Sequence, residues 1–267
     1  MACVLEATAP KAGNVYPGKS FDDLVYQDFL IAAEITAKVS GQKDLTVGQR
    51  VLETVRATNS ATDSNVNLGI VLLLAPLIAA DSRRATRQLD SWAPAVESVL
   101  AELTVGDSQC VFQAIRESSA GGLGKVDQMD VNDAECEGHI LDAMKLAQGH
   151  DRIARQYATN FRDLIDTIVP VVHQAIIDAK DTILGITRCQ ILLLAMEPDS
   201  LIRRKMGEEI ALQVQVRASE VNPSDDTSWQ AFDHSLRQDG NRLNPGTTAD
   251  LIAAALFILL LTDTKSS

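Results

Sequence analysis

Two runs of apolar residues constrain the fold of this chain more than any other feature. They cover residues 70–80 and 251–261, and each falls short of the ~20 residues that a helix needs to cross a bilayer. Because an apolar helix is stable in water only when all of its sides are covered, we expect both runs to be buried helices. Pro76 is expected to kink or break the first of them.

The other apolar residues recur mainly at helical spacing rather than in alternation. Residues 158–179 are the clearest case, with a bend expected at Pro170. Aromatic residues make up only 4% of the chain although 46% of it is hydrophobic. We therefore predict an all-α fold, with one compact domain over residues 1–267 and about ten helices around the buried apolar ones.

The net charge of −12 argues against a nucleic acid or an anionic membrane as partner. Any phosphate site must therefore be built from few cations. The four cysteines lie far apart, without a Cys-x-x-Cys pair, so neither a zinc site nor a disulfide framework is predicted. No signal peptide is recognised at the N-terminus, and we expect a cytoplasmic protein.

A polar motif precedes the second apolar run. It reads Asn244-Pro245-Gly246-Thr247-Thr248-Ala249-Asp250. Asn244 is a preferred N-cap and Pro245 suits the first helical position, so this helix start would offer free N–H groups to an anion. Asp250 would then hold a divalent cation beside a phosphate. A capped core helix without a ligand explains the same residues and is favoured by spacing alone.

A second polar segment leads into the first apolar run. Residues 58–65 are polar except for Ala61 and are followed by Asn67 and Gly69. Amides and hydroxyls at the mouth of a buried helix repeat the C-terminal arrangement, and capping is again the commoner explanation.

A further helix is predicted to begin after Pro198, with Asp199 placed to pair with Arg203 four residues later. The run Arg203, Arg204 and Lys205 is the densest cationic cluster in an acidic chain. It is a candidate phosphate site, while a solvated helix face is the alternative.

A glycine-rich stretch contains Gly121, Gly122 and Gly124. No strand precedes it and the Walker ending is missing, so a P-loop is excluded. Asp127 and Asp130 follow, and such carboxylates either bind Mg²⁺ or cap the next helix.

Two carboxylates near the N-terminus are also candidates. Glu6 precedes a loop, punctuated by Pro and Gly, that contains Lys11 and Gly13. Solvated surface charges are the commoner explanation for a Lys and a Glu beside such a loop. Asp28 falls on the apolar face of a helix predicted over residues 22–40, where a carboxylate is costly unless it is paired, caps a helix or binds a ligand. A partly exposed edge position is the alternative.

Taken together, these segments resemble the triphosphoribosyl-dephospho-CoA synthase family. Six motifs follow the family's order and span nearly the whole chain: Glu6 with Lys11-Ala12-Gly13-Asn14; Asp28-Phe29; Asn65-Val66-Asn67-Leu68-Gly69; Gly121-Gly122-Leu123-Gly124; Pro198-Asp199-Ser200-Leu201-Ile202 with Arg204-Lys205; and Asn244-Pro245-Gly246-Thr247-Thr248-Ala249-Asp250-Leu251. Each motif is weak alone, and their order makes the resemblance specific.

The resemblance implies an all-helical pentosyltransferase that uses ATP and 3′-dephospho-CoA. In such an enzyme the 2′-hydroxyl of the dephospho-CoA ribose attacks C1′ of the ATP ribose, adenine leaves, and the triphosphate stays on the transferred ribose. The product is the prosthetic-group precursor for the acyl carrier subunit of citrate lyase or malonate decarboxylase.

Motif position and residue chemistry together suggest roles. Glu6 and Asp28 are the catalytic candidates, because the sugar develops positive charge and the attacking hydroxyl must lose a proton. Mg²⁺ is the expected cofactor, with Asp127, Asp130 and Asp250 as ligands. The nucleotide-binding candidates are Lys11, Gly13, Asn14, Asn65, Asn67, Gly69, Gly121, Gly122, Gly124, Asp199, Ser200, Arg204, Lys205, Arg242, Asn244, Gly246, Thr247 and Thr248.

The chain departs from better-known members in two motifs. Those members commonly have Lys-Pro-Gly where this chain has Lys11-Ala12-Gly13. They also have Asn-Thr-His-Lys-Gly where this chain has residues 65–69, so the Lys of that motif is replaced by Leu68. An enzyme of the same fold with another acceptor, or a non-catalytic nucleotide-binding protein, therefore stays open. The expected partners are ATP and 3′-dephospho-CoA, not nucleic acid or a membrane, with a homodimer left open.

Overall fold

The computed structural model describes residues 1–62, 66–120 and 138–263. Over these ranges the chain forms fourteen α-helices and no β-strand, which confirms the predicted all-α class. The helices are α1 (Ala2–Thr8), α2 (Tyr26–Ser40), α3 (Val47–Thr62), α4 (Leu68–Asp81), α5 (Trp92–Ala101), α6 (Val105–Ala120), α7 (Ile140–Ala147), α8 (Arg152–Ala158), α9 (Val169–Ala179), α10 (Thr182–Met196), α11 (Ser200–Met206), α12 (Glu208–Glu220), α13 (Asp226–Leu236) and α14 (Gly246–Leu260).

The two apolar runs form α4 and α14, the helices at the centre of the main core. Nine of the fourteen residues of α4 and ten of the fifteen residues of α14 are buried. α14 packs against α1, α4, α9, α10 and α11, among others. α4 continues through Pro76, so the break that the sequence allowed there does not occur. Burial of both apolar runs is confirmed.

A second, smaller core lies among α10, α11, α12 and α13. Its buried side chains are Ala12, Ile191, Leu194, Ile202, Ala211, Val214, Ala218, Phe232 and Leu236. Ala12 belongs to the loop after α1, so this small core also supports the N-terminal motif that contains Lys11 and Gly13.

The structure contains more helices than the ten or so expected. α1 and α8 have only seven residues each, too few to show an amphipathic period in the sequence. A π-helical turn at Leu164–Ile168 precedes α9, and Pro170, where a bend was expected, lies in the first turn of α9. None of the helices in the described part of the chain is both long and apolar enough to cross a membrane.

Candidate active site

A cavity with a volume of about 200 Å³ lies between α1, α4, α8, α11 and α14. Much of its lining comes from the sequence motifs, namely Glu6, Asn14, Gly69, Arg204, Lys205, Asn244, Gly246, Thr247 and Asp250. Most of the remaining lining is apolar and comprises Ala7, Val15, Leu24, Phe29, Val66, Leu68, Ile70, Leu72, Ile115, Met144, Ile153, Ala154, Leu201 and Ala249. Charged groups and apolar side chains thus line one space, as a nucleotide with a flat base and a charged tail requires.

Glu6 is held by a buried ion pair. Lys11 is fully buried, and its Nζ lies 2.9 Å from Glu6 Oε1. The same ammonium donates to the carbonyls of Glu6 (2.5 Å) and Ala9 (3.3 Å). An ammonium has three protons, so Lys11 has none left for a phosphate, and it does not line the cavity. Its geometry is that of a support for Glu6 rather than a nucleotide ligand.

Gly13 also acts within the protein. Its N–H donates to Asp233 Oδ1 (2.8 Å), and its φ of +75° lies in the left-handed region. A Cβ atom there would lie 2.9 Å from Leu236 side-chain atoms. Glycine is therefore required for the turn that brings the next residue, Asn14, to the cavity.

The start of α14 differs from the prediction. The helix begins at Gly246, so Asn244 is not its N-cap and Pro245 is not its first residue. Asn244 Oδ1 instead accepts a hydrogen bond from Asn14 Nδ2 (2.5 Å). The prediction was wrong because a buried partner distant in sequence uses the side-chain oxygen that a cap would need.

Asp199 caps two helices at once. Its Oδ1 accepts from the N–H groups of Leu201 (2.9 Å) and Ile202 (3.1 Å) at the start of α11. Its Oδ2 accepts from the N–H (2.7 Å) and Oγ1 (2.8 Å) of Thr248 in α14. Burial raises the pKa of this carboxyl, against the effect of these donors. Asp199 therefore joins the helix that carries Arg204 to the helix that carries Asp250.

The predicted pairing of Asp199 with Arg203 is wrong. Both oxygens of Asp199 are used by the two helix starts, and Arg203 instead forms an ion pair with Glu208. Ser200 is likewise used internally, because its Oγ accepts from the N–H of Arg152 (2.9 Å) at the start of α8.

Asp250 is the carboxyl group most open to a ligand. It lines the cavity beside Gly69, where a Cβ atom would overlap Asp250 Oδ2. No hydrogen bond joins it to another described residue. Burial raises the pKa of Asp250 well above its ordinary value, and the nearby Glu6 and Asp199 raise it further while Arg204 lowers it. A cationic ligand would relieve this accumulation of acidic groups.

Arg204 and Lys205 supply the positive charge. Arg204 lines the cavity, is exposed, and forms no ion pair with the described residues. Lys205 Nζ makes two long hydrogen bonds of 3.3 Å to Asn241. Burial lowers the pKa of the Lys205 ammonium, although Asp23 partly opposes this. Arg204 is therefore the cation most available to a phosphate.

Three other candidates do not line the cavity. Asp28 Oδ2 accepts from the N–H of Val25 (3.3 Å) at the start of α2, although the adjacent Phe29 does line it. Asn67 is buried and donates to Thr58 Oγ1 (2.9 Å). Arg242 pairs with Asp239 at the surface (3.0 Å).

Part of the predicted site lies outside the described residues. These positions are Asn65, Gly121, Gly122, Gly124, Asp127 and Asp130. In the part of the chain that the structure describes, no three His, Cys, Asp or Glu side chains are grouped to hold a metal ion.

Asp151 was missed by the sequence reasoning. It lines the cavity, and its Oδ1 caps α8 through the N–H groups of Ile153 (2.8 Å) and Ala154 (3.1 Å). Because α8 is short, no periodic pattern drew attention to it. The sequence did offer one signal for a helix start, namely an Asp directly before a short segment with apolar residues.

Comparison with known proteins identifies the family of this chain. The family CitG, described as ATP:dephospho-CoA triphosphoribosyl transferase, matches residues 1–267. No curated protein sequence gives a significant match. A crystal structure from Archaeoglobus fulgidus, provisionally described as a triphosphoribosyl-dephospho-CoA synthase, is similar with a TM-score of 0.67 and 24% identity over 88% of this chain and 97% of that one. That likeness concerns the fold. Because the family match extends over the whole length, the chain belongs to the CitG family of triphosphoribosyl transferases.

Proposed function

We propose that this protein transfers the 5-triphosphoribosyl group of ATP to the 2′-hydroxyl of 3′-dephospho-CoA, releases adenine, and so makes the prosthetic-group precursor of an acyl carrier protein. The observation that supports this most is that Glu6, Asp250 and Arg204, from three different helices, line one cavity whose other side chains are largely apolar. Family membership supplies the reaction type.

The two kinds of lining suit the two ends of ATP. Phe29, Ile70 and Ile153 offer apolar contact to the adenine ring. Arg204 and Lys205 offer charged hydrogen bonds to the triphosphate. The N–H of Thr247, which has no partner among the described residues, adds a donor at the start of α14.

Glu6 is the preferred base. Lys11 occupies Oε1, so Oε2 is the oxygen that takes the proton from the attacking 2′-hydroxyl. That hydroxyl oxygen forms the new bond to C1′, and the electron pair of the broken C1′–N bond leaves with adenine, which takes up a proton. Carboxylate charge in the cavity stabilises the positive charge that the ribose develops. Asp28 is less suitable because it lies outside the lining.

Asp250 fits a role as a Mg²⁺ ligand. Mg²⁺ is usually held by one or two carboxylates together with substrate phosphates and water, so a cluster of three protein ligands is not required. The carboxyl group of Asp250 faces the cavity without a hydrogen bond to any described residue. When bound, Mg²⁺ would neutralise triphosphate charge.

Release of adenine tests the proposed reaction. Purified protein with ATP, Mg²⁺ and 3′-dephospho-CoA is expected to release one adenine for each triphosphoribosyl group transferred, measured by chromatography. No release under conditions where another family member is active would contradict the proposal. Release that does not depend on dephospho-CoA but responds to cell extract would indicate another acceptor.

Asp250→Asn is expected to weaken Mg²⁺-dependent ATP binding on the order of 10- to 100-fold, the range seen when groups around metal sites are altered. The free energy of unfolding of the ligand-free protein should not fall, because Asp250 makes no hydrogen bond to a described residue and lies near other acidic groups. Calorimetry with and without Mg²⁺ and thermal unfolding measure the two effects. A loss of stability with unchanged binding would make Asp250 a structural residue.

A further inference from the structure

Three buried side-chain amides form a chain of hydrogen bonds that ends at the cavity. Gln190 in α10, Asn14 and Asn244 are 0%, 5% and 8% exposed. Gln190 Nε2 donates to Asn14 Oδ1 (3.0 Å), and Asn14 Nδ2 donates to Asn244 Oδ1 (2.5 Å). Gln190 lies outside every sequence motif and was not predicted as part of the site. We call these three residues the amide relay.

The backbone fixes the direction of donation along the amide relay. The N–H of Ala12 donates to Gln190 Oε1 (2.8 Å), and Gln190 Nε2 donates to the carbonyl of Ala12 (2.7 Å). A backbone N–H can only donate and a carbonyl can only accept, so turning the Gln190 amide would lose both bonds. The carbonyl of Pro245, 3.5 Å from Asn14 Nδ2, orients Asn14 in the same sense.

Asn244 is consequently left with its NH₂ group as the free end. It lines the cavity, its Oδ1 is used by Asn14, and its Nδ2 has no hydrogen-bond partner within the described ranges. Because the oxygen of this amide is turned toward Asn14, the group left for a ligand is the NH₂, which only donates. The N–H of Thr247, at the start of the fifteen-residue α14, also has no acceptor among the described residues. Both donors therefore suit a ligand that accepts hydrogen bonds.

We propose that Gln190 and Asn14 are positioning residues that act through Asn244 to make the start of α14 selective for a group that only accepts hydrogen bonds, a phosphate oxygen of the nucleotide. Arg204 and Lys205 line the same cavity and supply positive charge, while the amide relay orients the Asn244 NH₂ group as a hydrogen-bond donor. The inference rests on the proposed function for its ligand, a triphosphate.

Gln190→Glu tests the amide relay at its far end. In its ionised form the new carboxyl group still accepts from Ala12 but has no proton to donate, so it repels Asn14 Oδ1. Asn14 and then Asn244 would turn, and an oxygen would face the ligand. Inorganic tripolyphosphate is the probe, and we expect its affinity, measured by calorimetry, to fall on the order of 10- to 100-fold. Asn244→Asp, which places an oxygen there directly, should lose at least as much.

Gln156→Glu provides a matched control. Gln156 is also fully buried, accepts from the N–H of Leu164 (2.9 Å), and donates to the Arg152 carbonyl and Asp163 Oδ2 (both 2.9 Å). It does not line the cavity. Both Gln→Glu variants should lower the melting temperature, but only Gln190→Glu should lower the affinity for tripolyphosphate.

A double-mutant cycle separates positioning from general loss of structure. In an Asn244→Ala background Gln190→Glu should cause no further loss of affinity, because its effect passes through Asn244. Equal losses in both backgrounds, or unchanged affinity in folded Gln190→Glu protein, would overturn the proposal. If Gln190→Glu does not fold, Asn14→Asp removes the next donor of the amide relay and enters the same cycle.

The wild-type protein separates this proposal from the proposed function. Tripolyphosphate binding that depends on Asn244 and Gln190, without adenine release from ATP, supports the amide relay and contradicts the proposed reaction. Adenine release from ATP, together with unchanged affinity of the relay variants for tripolyphosphate, supports the proposed reaction and contradicts the amide relay. Failure of the wild type to bind tripolyphosphate overturns the phosphate assignment.

Discussion

Glu6→Gln is expected to lower kcat by ~10²- to 10⁴-fold, the contribution that a positioned general base typically makes. Gln has the size of Glu and its Oε1 still accepts from Lys11, but it cannot take a proton from the attacking hydroxyl. The affinity for ATP should change far less than kcat, because Glu6 is assigned to the acceptor hydroxyl rather than to the phosphates. Steady-state adenine release and calorimetric ATP binding measure the two quantities.

Glu197→Gln is the control for this substitution. Glu197 also pairs with a cation, Arg155 (2.6 Å), but it does not line the cavity. Loss of its charge should affect stability and leave kcat within a few-fold. Retention of more than about a tenth of the wild-type kcat by Glu6→Gln would exclude Glu6 as the base, since base catalysis is worth at least ~10²-fold.

Lys11→Met is expected to lower the free energy of unfolding by ~3–5 kcal/mol, the usual cost of removing one partner of a buried ion pair. Met fills similar space, so the loss comes from the Glu6 carboxylate left buried without a cation and from two carbonyls left without a donor. Urea unfolding followed by circular dichroism measures the change. Activity should fall as well, because Glu6 is no longer held.

The Lys11→Met/Glu6→Gln double variant should be more stable than Lys11→Met, because no unpaired charge remains. Lys205→Met is the matched control, and it should weaken ATP binding with little change in stability, since Lys205 makes only long hydrogen bonds to Asn241. Weaker ATP binding by Lys11→Met at unchanged stability would restore the role of phosphate ligand to Lys11.

The fold class followed from the sequence because apolar spacing reports directly on helices. The motifs also indicated which parts of the chain meet, since the described segments around Glu6, Gly69, Arg204 and Asp250 all reach one cavity. Burial of residues 70–80 and 251–261 could be predicted because a helix that is apolar on all sides, and too short to cross a bilayer, must be covered by other parts of the protein.

The direction of each motif side chain could not be predicted. Lys11, Asp199 and Asn244 have the chemistry of nucleotide ligands, but the same chemistry serves ion pairs, helix caps and amide contacts. Which use prevails depends on partners distant in sequence, such as Thr248 for Asp199 and Asn14 for Asn244. Gln190 carried one signal in the sequence, because it is an amide within a largely apolar helix. The structure shows that it is fully buried, and a buried amide requires a hydrogen-bond partner.

The double cap at Asp199 has a mechanical consequence. One carboxylate holds the first turns of α11 and α14 together, so we expect these helices, with Arg204 on one and Asp250 on the other, to move together. If the cavity widens to admit a substrate, we therefore expect the movement in the opposite walls, where α4 and the segment around Phe29 present apolar side chains.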